Sequence, residues 1–349
     1  MAWNLKNPRH FDTLMNFTTE EILYLVDQSI KVKENERNGI RPKGLEGKTI
    51  VGIFEKNSTR TANSTFKAAN YLGMQYFYNG PSGSNMGTKE SVADTAKVFT
   101  EMYDICLFRT FGHDKIQDYA KNSGIPLING LCDQEHPTQT IADLQTIKEA
   151  FGGFKKLVKG EIKPLKVVFC GDYKNNMGNS WMYAAAFTGM DLVMFGPKEY
   201  EQQCNKDIVK FCKDLFKKNG GSITFTEDKA KAAKDADVIA TDVWVSLGES
   251  FDLWEKRLKE MHEFQVDKKM MDMASKNAIF MHCLPAFHDM NTEYGSKVAE
   301  LYGKKFPIVK NGAIEVTDEV FSDTKRNWSF VEAGNRWTSI AAIIQELLK

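Results

Sequence analysis

Thr49-Ile50-Val51-Gly52-Ile53-Phe54, then Ser58-Thr59-Arg60-Thr61, then the helix-like run from Asn63 to Leu72, is the stretch on which the fold of this chain turns. The apolar run reads as a strand, and the hydroxyls and guanidinium after it fall where a helix begins. A helix N-terminus carries unpaired N–H groups and the positive end of a dipole, so it favours an anion. Two readings fit these residues taken alone: Ser58 or Thr59 caps the helix, or the turn holds a phosphate or carboxylate.

The same alternation runs through the chain, as expected of parallel strands joined by crossover helices. Strands are expected at Ile50–Phe54, Gln75–Tyr78, Ile105–Phe108, Leu127–Asn129, Val167–Cys170, Leu192–Phe195, Ser222–Thr226, Val238–Thr241 and Ile279–Met281. Helices fill most intervals, among them Thr19–Asn35, Ser91–Met102, Thr140–Phe151, Asn179–Thr188, Lys206–Lys218 and Val266–Met273. Glycines, lysines and a proline interrupt the pattern between Gly152 and Pro164, which marks a domain boundary there. Thr338 to Leu348 reads as an amphipathic helix that must dock on something.

At 349 residues the chain exceeds the usual single-domain range, so two α/β domains are expected. Its 46 basic and 46 acidic residues balance, which removes any global electrostatic case for nucleic acid or an anionic membrane. Six scattered cysteines without a CxxC pair fit a reduced, cytoplasmic protein. Met1 to Glu20 resembles neither a signal nor a transit peptide, and no apolar run approaches the ~20 residues needed to cross a bilayer.

Ligands of open parallel sheets collect at the carboxyl ends of strands. The polar residues that fall there in the first half are Ser58 to Thr61, Arg109, His136 and Gln139. Each has a structural reading, such as a surface ion pair for an Arg or a satisfied core position for a His. Together they suit a small phosphate ester that also carries a polar carbonyl. In the second half, Gly171-Asp172-Tyr173-Lys174-Asn175-Asn176-Met177-Gly178 follows a strand without the G-x-G-x-x-G fingerprint, which disfavours NAD. Asp242-Val243-Trp244-Val245-Ser246-Leu247-Gly248 offers a carboxylate and a hydroxyl suited to an amino acid, or ordinary turn chemistry. His282-Cys283-Leu284-Pro285 sets a thiol at a strand end, either tuned by its neighbours or inert.

Read in order, Phe54-Glu55-Lys56-x-Ser58-Thr59-Arg60-Thr61, Phe108-Arg109, His136-Pro137-Thr138-Gln139, Asp242-x-Trp244-Val245-Ser246-Leu247-Gly248, His282-Cys283-Leu284-Pro285 and Asn335-Arg336 resemble the ornithine carbamoyltransferases, from Asn4 to the C-terminal helix. The loop Gly80 to Ser91 and the run Met281 to His288 are most similar to the catabolic branch of the arginine deiminase pathway. The resemblance implies two Rossmann-like domains, each a parallel sheet flanked by helices. Residues 1–152, completed by a C-terminal helix (338–349) packing back on them, would bind carbamoyl phosphate, and residues 153–337 would bind ornithine. Carried over residue by residue, the carbamoyl phosphate set is Ser58, Thr59, Arg60, Thr61, Arg109, His136, Gln139 and Arg336, with Asn85 reaching into a neighbouring subunit of a homotrimer or larger assembly. Asn176, Asp242, Ser246 and Leu247 form the ornithine set, and Cys283 and Leu284 lie between the substrates.

The implied reaction is attack of the neutral δ-amine on the carbonyl carbon and departure of phosphate, without a metal or organic cofactor. Arg60, Arg109 and the hydroxyls would hold the phosphate while His136, Arg109 and Thr61 polarise the carbonyl oxygen. Asp242 and Cys283 would orient the amine and help it lose a proton. The chain departs from the family pattern in three places: Ala62 for a second arginine, Asn85 for a glutamine, and Gly334 and Trp337 flanking Asn335-Arg336. They bear on affinity more than on reaction type. The alternatives are a putrescine carbamoyltransferase, which the Ser246-Leu247-Gly248 loop argues against, and a non-catalytic relative that only binds carbamoyl phosphate.

Overall fold

Thr49–Phe54 forms an inner strand of a four-stranded parallel sheet, its apolar side chains buried as a strand covered on both faces requires. The computed structural model describes residues 8–245 and 252–349. One unit runs to Gln145 and is completed by Gly334–Lys349, and the other is Thr146–Ala333.

The first unit holds, in chain order, α1 (Thr19–Arg37), β1 (Thr49–Phe54), α2 (Thr59–Tyr71), β2 (Gln75–Asn79), α3 (Val92–Thr100), β3 (Ile105–Arg109), α4 (His113–Asn122), β4 (Leu127–Leu131) and the start of α5 (Pro137–Phe151). Its sheet order is β2-β1-β3-β4. The chain leaves β1 toward one edge and returns to build the other, so the strand order reverses between β1 and β3. That crevice is where open α/β sheets bind ligands. Phe54 pairs with Arg109, which places Arg109 beside the turn that opens α2. The register of β3 against β4 shifts between Phe108 and Arg109, an irregularity of the kind that re-aims a side chain.

The second unit continues with β5 (Lys155–Val158), β6 (Glu161–Pro164), β7 (Lys166–Cys170), α6 (Asn176–Thr188), β8 (Asp191–Phe195), α7 (Lys206–Asn219), β9 (Ser222–Thr226), α8 (Lys229–Ala233), β10 (Val238–Thr241), α9 (Leu253–Met261), α10 (Lys268–Met273), β11 (Ile279–His282), α11 (Glu293–Tyr302), α12 (Asp318–Phe321) and the start of α13 (Ser329–Leu347). Its parallel sheet has the order β11-β10-β7-β8-β9, and its reversal lies between β7 and β10. Asp172 to Asn176 and Asp242 follow those two strands.

Helices α2, α5, α6 and α10 start a few residues from where they are expected, and two elements differ more. The interrupted stretch after Gly152 contains an antiparallel hairpin, β5 against β6, turned by Lys159 and Gly160 at positive φ. Its apolar pair, Leu157 and Ile162, is 74% and 76% exposed, so the period-2 signal is buried in lysines and no core pattern betrays it. The last helix begins at Ser329 rather than near Thr338 and runs through Gly334, whose Cα faces open space. Among the described residues no helix is long and apolar enough to cross a membrane.

Candidate functional site

In the first unit the turn after β1 delivers Ser58 to the N-cap position of α2 with extended backbone, yet its side chain makes no capping hydrogen bond. The hydroxyl is therefore not committed to the helix. Thr61, one turn in, is fully buried and its Oγ1 accepts from two guanidiniums: Arg109 Nη1 at 3.3 Å and Arg336 Nη2 at 3.1 Å. Arg336, only 1% exposed, also donates to Thr138 Oγ1 at 3.0 Å, Gln139 Oε1 at 2.7 Å and His136 Nε2 at 3.1 Å. All four acceptors are neutral. Those bonds orient the guanidinium through neutral groups.

The second half of the cluster comes from the start of α5 and from α13. Gln139 is fixed at both ends of its amide, donating to Asp143 Oδ1 at 2.7 Å while it accepts from Arg336. Asn335 accepts from Lys33 at 2.7 Å and Gln145 at 3.2 Å, and Thr338 donates to Gln145 at 2.7 Å. These bonds seat the helix that carries Arg336. Burial first, and then the charges of Arg336, Arg109 and Arg60, hold the His136 imidazole well below its usual value. His136 is thus neutral, and because Nε2 accepts from Arg336, its proton resides on Nδ1.

Glu135, the neighbour of His136, is fully buried, and one of its oxygens accepts the Leu14 N–H at 2.9 Å. Burial pushes its carboxyl up to about 7, against the pull of its bonds to Thr13 and Leu14 and with the help of Asp12. Nothing in the sequence marks Glu135, and Thr138 carries no role there beyond its place in the His136-Pro137-Thr138-Gln139 motif. Asn85 stands apart: it lies on an exposed loop, and its carbonyl accepts the N–H groups of Thr88, Lys89 and Glu90.

In the second unit the thiol of Cys283 donates to Asp242 Oδ1 at 3.2 Å, joining the ends of β10 and β11. Leu284 follows at φ 59°, in the left-handed region that non-glycine residues occupy at a cost of roughly 1–2 kcal/mol. The turn is braced from behind. His282 Nδ1 accepts the Leu284 N–H at 2.8 Å, so its proton sits on Nε2 and is given to Glu315 Oε1 at 3.1 Å. Glu315 also accepts the Phe287 N–H at 2.7 Å, and Glu332 accepts that of His282 at 2.9 Å. The motif exposed His282 to view, but nothing local in the sequence marks Glu315 or Glu332 as its partners.

Asn176 is the first residue of α6, capped by Asn175, whose Oδ1 accepts from Met177 and Gly178. A Cβ on Gly178 would lie 2.0 Å from the Tyr173 carbonyl oxygen, so only glycine permits this close turn. Ser246 and Leu247 lie outside the described residues. Among the described residues the ligand atoms of Asp242, His282 and Cys283 lie within 4.8 Å of one another, as do those of His288, Asp289 and Asp318. Both ring nitrogens of His282 are already engaged, which argues against that trio as a resident metal centre.

Comparison with known proteins assigns both halves. Residues 9–149 match the family model described as the carbamoyl-P binding domain of aspartate/ornithine carbamoyltransferase, and residues 163–347 match its Asp/Orn binding domain. The catabolic ornithine carbamoyltransferase of Malacoplasma penetrans is 51% identical over 346 residues, covering 99% of this chain and 98% of the relative. That of Mycoplasma pneumoniae is 49% identical over 350 residues, at 99% and 98% coverage. Among solved structures, the anabolic ornithine carbamoyltransferase of Campylobacter jejuni superposes with a TM-score of 0.81 at 34% identity, covering 97% of this chain and 98% of its own.

Proposed function

We propose that this chain, which belongs to the aspartate/ornithine carbamoyltransferase family, transfers the carbamoyl group of carbamoyl phosphate to the δ-amine of L-ornithine, giving L-citrulline and phosphate. The observation that carries this reading is the buried Arg336, held by the neutral groups of Thr61, Thr138, Gln139 and His136, with Thr61 also accepting from Arg109. The phosphate is taken by the Ser58, Thr59 and Thr61 hydroxyls, the N–H groups that open α2, and the guanidiniums of Arg60 and Arg109. Gln139 and Arg336 fix the carbamoyl end, and Arg109, Thr61 and His136 face the carbonyl oxygen as its charge grows. Each donor preorganised in this way contributes about 2.7–4 kcal/mol to the barrier in comparable oxyanion sites. A neutral His136 adds orientation without competing with the arginines for the phosphate.

Ornithine is taken by the second unit, through Asn176, Asp242, Ser246 and Leu247. An alkylammonium titrates near ~10 in water, so it must lose a proton before it can attack. Asp242 and Cys283, already sharing a hydrogen bond, orient the amine, and the Asp242 carboxylate assists the loss of that proton. The new C–N bond forms to give an anionic tetrahedral intermediate, and the C–O bond to phosphate then breaks. Holding both substrates accounts for much of the remaining acceleration.

The physiological direction favours citrulline breakdown, in line with the relatives named catabolic. Assembly is a homotrimer in the cytoplasm, with Asn85 reaching a neighbour's site. The edge strand β2 supports self-association, because it leaves Phe77 and Tyr78 54% and 44% exposed. Light scattering at working concentration reads the assembly, and a monomer would overturn it.

Purified protein is assayed with carbamoyl phosphate against ornithine, putrescine and aspartate, following carbamoylated product. Citrulline well above the other two is expected. Equal or better turnover of putrescine overturns the ornithine assignment, and binding of carbamoyl phosphate without turnover of any amine overturns catalysis altogether.

A further inference from the structure

Gln139 and Asp143 stand one turn apart on α5, at the i and i+4 positions whose side chains meet on a helix. Each is 1% exposed. Gln139 Nε2 donates to Asp143 Oδ1 at 2.7 Å, and Gln139 Oε1 accepts from Arg336 Nη1 at 2.7 Å. The two ends of a carboxamide differ little in shape, so packing alone does not choose between its two orientations. The chemistry of the neighbours does. A carboxylate accepts and does not donate, and a guanidinium donates and does not accept. A flipped amide would set its oxygen against the Asp143 carboxylate and its nitrogen against Arg336, two mismatched contacts in a buried place.

Arg336 by itself is a poor lock. Its Nη1 divides between Gln139 Oε1 and His136 Nε2, and an anion entering the site pulls on the same guanidinium. Asp143 works from the opposite end of the amide and from Gln139's own helix, so it holds the orientation whether or not Arg336 shifts. The start of α5 is fastened to the Arg336 stretch of α13 by other bonds. Gln145 donates to Asn335 Oδ1 at 3.2 Å and accepts from Thr338 at 2.7 Å, and the Thr138 carbonyl accepts from Ser339 Oγ at 3.0 Å. Asp143 can therefore be altered without unseating the helix that carries Arg336.

We propose that Asp143 is a positioning residue: it keeps the Gln139 carboxamide with its oxygen toward Arg336 and the carbamoyl end of the ligand, so that the site takes an amino group there and rejects a methyl group of similar size. The proposal rests on the placement of carbamoyl phosphate in the first unit. An amino group needs an acceptor, and the observed orientation of Gln139 turns its oxygen that way, whereas the flipped one offers a further donor. A buried site built to bond a polar group discriminates against an analogue that lacks it, because the site's own polar group is then left unmatched.

Two probes differ at that one group: phosphonoacetamide, which is carbamoyl phosphate with CH2 for the bridging oxygen, and acetonylphosphonate, which carries a methyl in place of the amino group. Both are titrated calorimetrically into the full-length wild type, Asp143→Asn, Asp143→Glu, Gln139→Ala and the double variant Asp143→Asn/Gln139→Ala. The wild type is expected to bind the amide about 10-fold or more tighter than the ketone. Asp143→Asn, which keeps the shape but presents a donor as readily as an acceptor, is expected to cut that ratio about 5-fold, and by less than about 2-fold once Gln139 is already Ala. Asp143→Glu retains an acceptor and is expected to keep the ratio within about 3-fold of the wild type. An unchanged ratio in Asp143→Asn, the same fall with and without Gln139, or a glutamate variant as indiscriminate as Gln139→Ala overturns the role of Asp143. A wild type that binds both probes equally overturns the proposal alone, whereas one that binds neither overturns the carbamoyl phosphate reading beneath it.

Discussion

At the ends of β1 and β3, Thr61 takes hydrogen bonds from two guanidiniums, and the four acceptors around Arg336 are neutral. At the ends of β10 and β11, a half-buried thiol leans on a carboxylate, on a turn that passes through left-handed backbone and is braced by two buried glutamates. On the proposed reading, the first arrangement gathers guanidiniums for an anion that must bind before it is transformed, and the second fixes geometry, since a proton acceptor for an amine has to be placed more than it has to be charged. Each region nevertheless rests on a fully buried carboxylate, Glu135 beside His136 and Glu315 behind His282.

The largest effect should come from the brace. His282→Ala leaves Glu315 buried with one of its two partners gone, and is expected to lower unfolding free energy by about 3–5 kcal/mol in urea melts. A loss under 1 kcal/mol would mean that the turn holds itself. Next, Arg109→Ala should reduce kcat by about 100- to 1,000-fold, or roughly 2.7–4 kcal/mol, with the melting curve nearly unmoved. Near wild-type turnover would remove Arg109 from the site and erase the contrast between gathered guanidiniums and fixed geometry.

Glu135 separates the two buried carboxylates by pH. Its folded value of about 7 lies above the ordinary carboxylate range, so its contribution to stability is complete below pH ~4.5 and is lost as pH rises through about 7. Relative to Glu135→Gln, the wild type should therefore lose about 3 kcal/mol of stability between pH ~4.5 and ~7.5, read from denaturant unfolding across that interval. A constant gap would show that the carboxyl does not hold a proton in the fold. The smallest effect concerns Ser58→Ala. With no capping bond to remove, stability should change by less than about 0.5 kcal/mol, while the carbamoyl phosphate KM rises several-fold. A loss of about 1 kcal/mol with unchanged KM would restore the capping reading.

Strand ends were the legible part. Ser58 to Thr61, Arg109, Asp242 and Cys283 follow or end apolar runs, and parallel strands expose their runs in the sequence because both faces are buried. The hairpin at Lys155–Pro164 was illegible for the converse reason: its strands bury little, so their composition is that of a linker. Arg336 could be carried over only by family resemblance, since its partners lie about 200 or more positions away. Glu315 had no signal at all. A buried acid 33 residues from its histidine looks, in one dimension, like any surface glutamate.

The first unit closes with Gly334–Lys349, after the whole of Thr146–Ala333 has been written. During synthesis, when domains generally fold as the chain emerges, the second unit can mature while the anion site still lacks its deepest guanidinium. On the proposed reading, a chain that stops short of Arg336 has all of its strands in place and lacks the deepest guanidinium of the anion site.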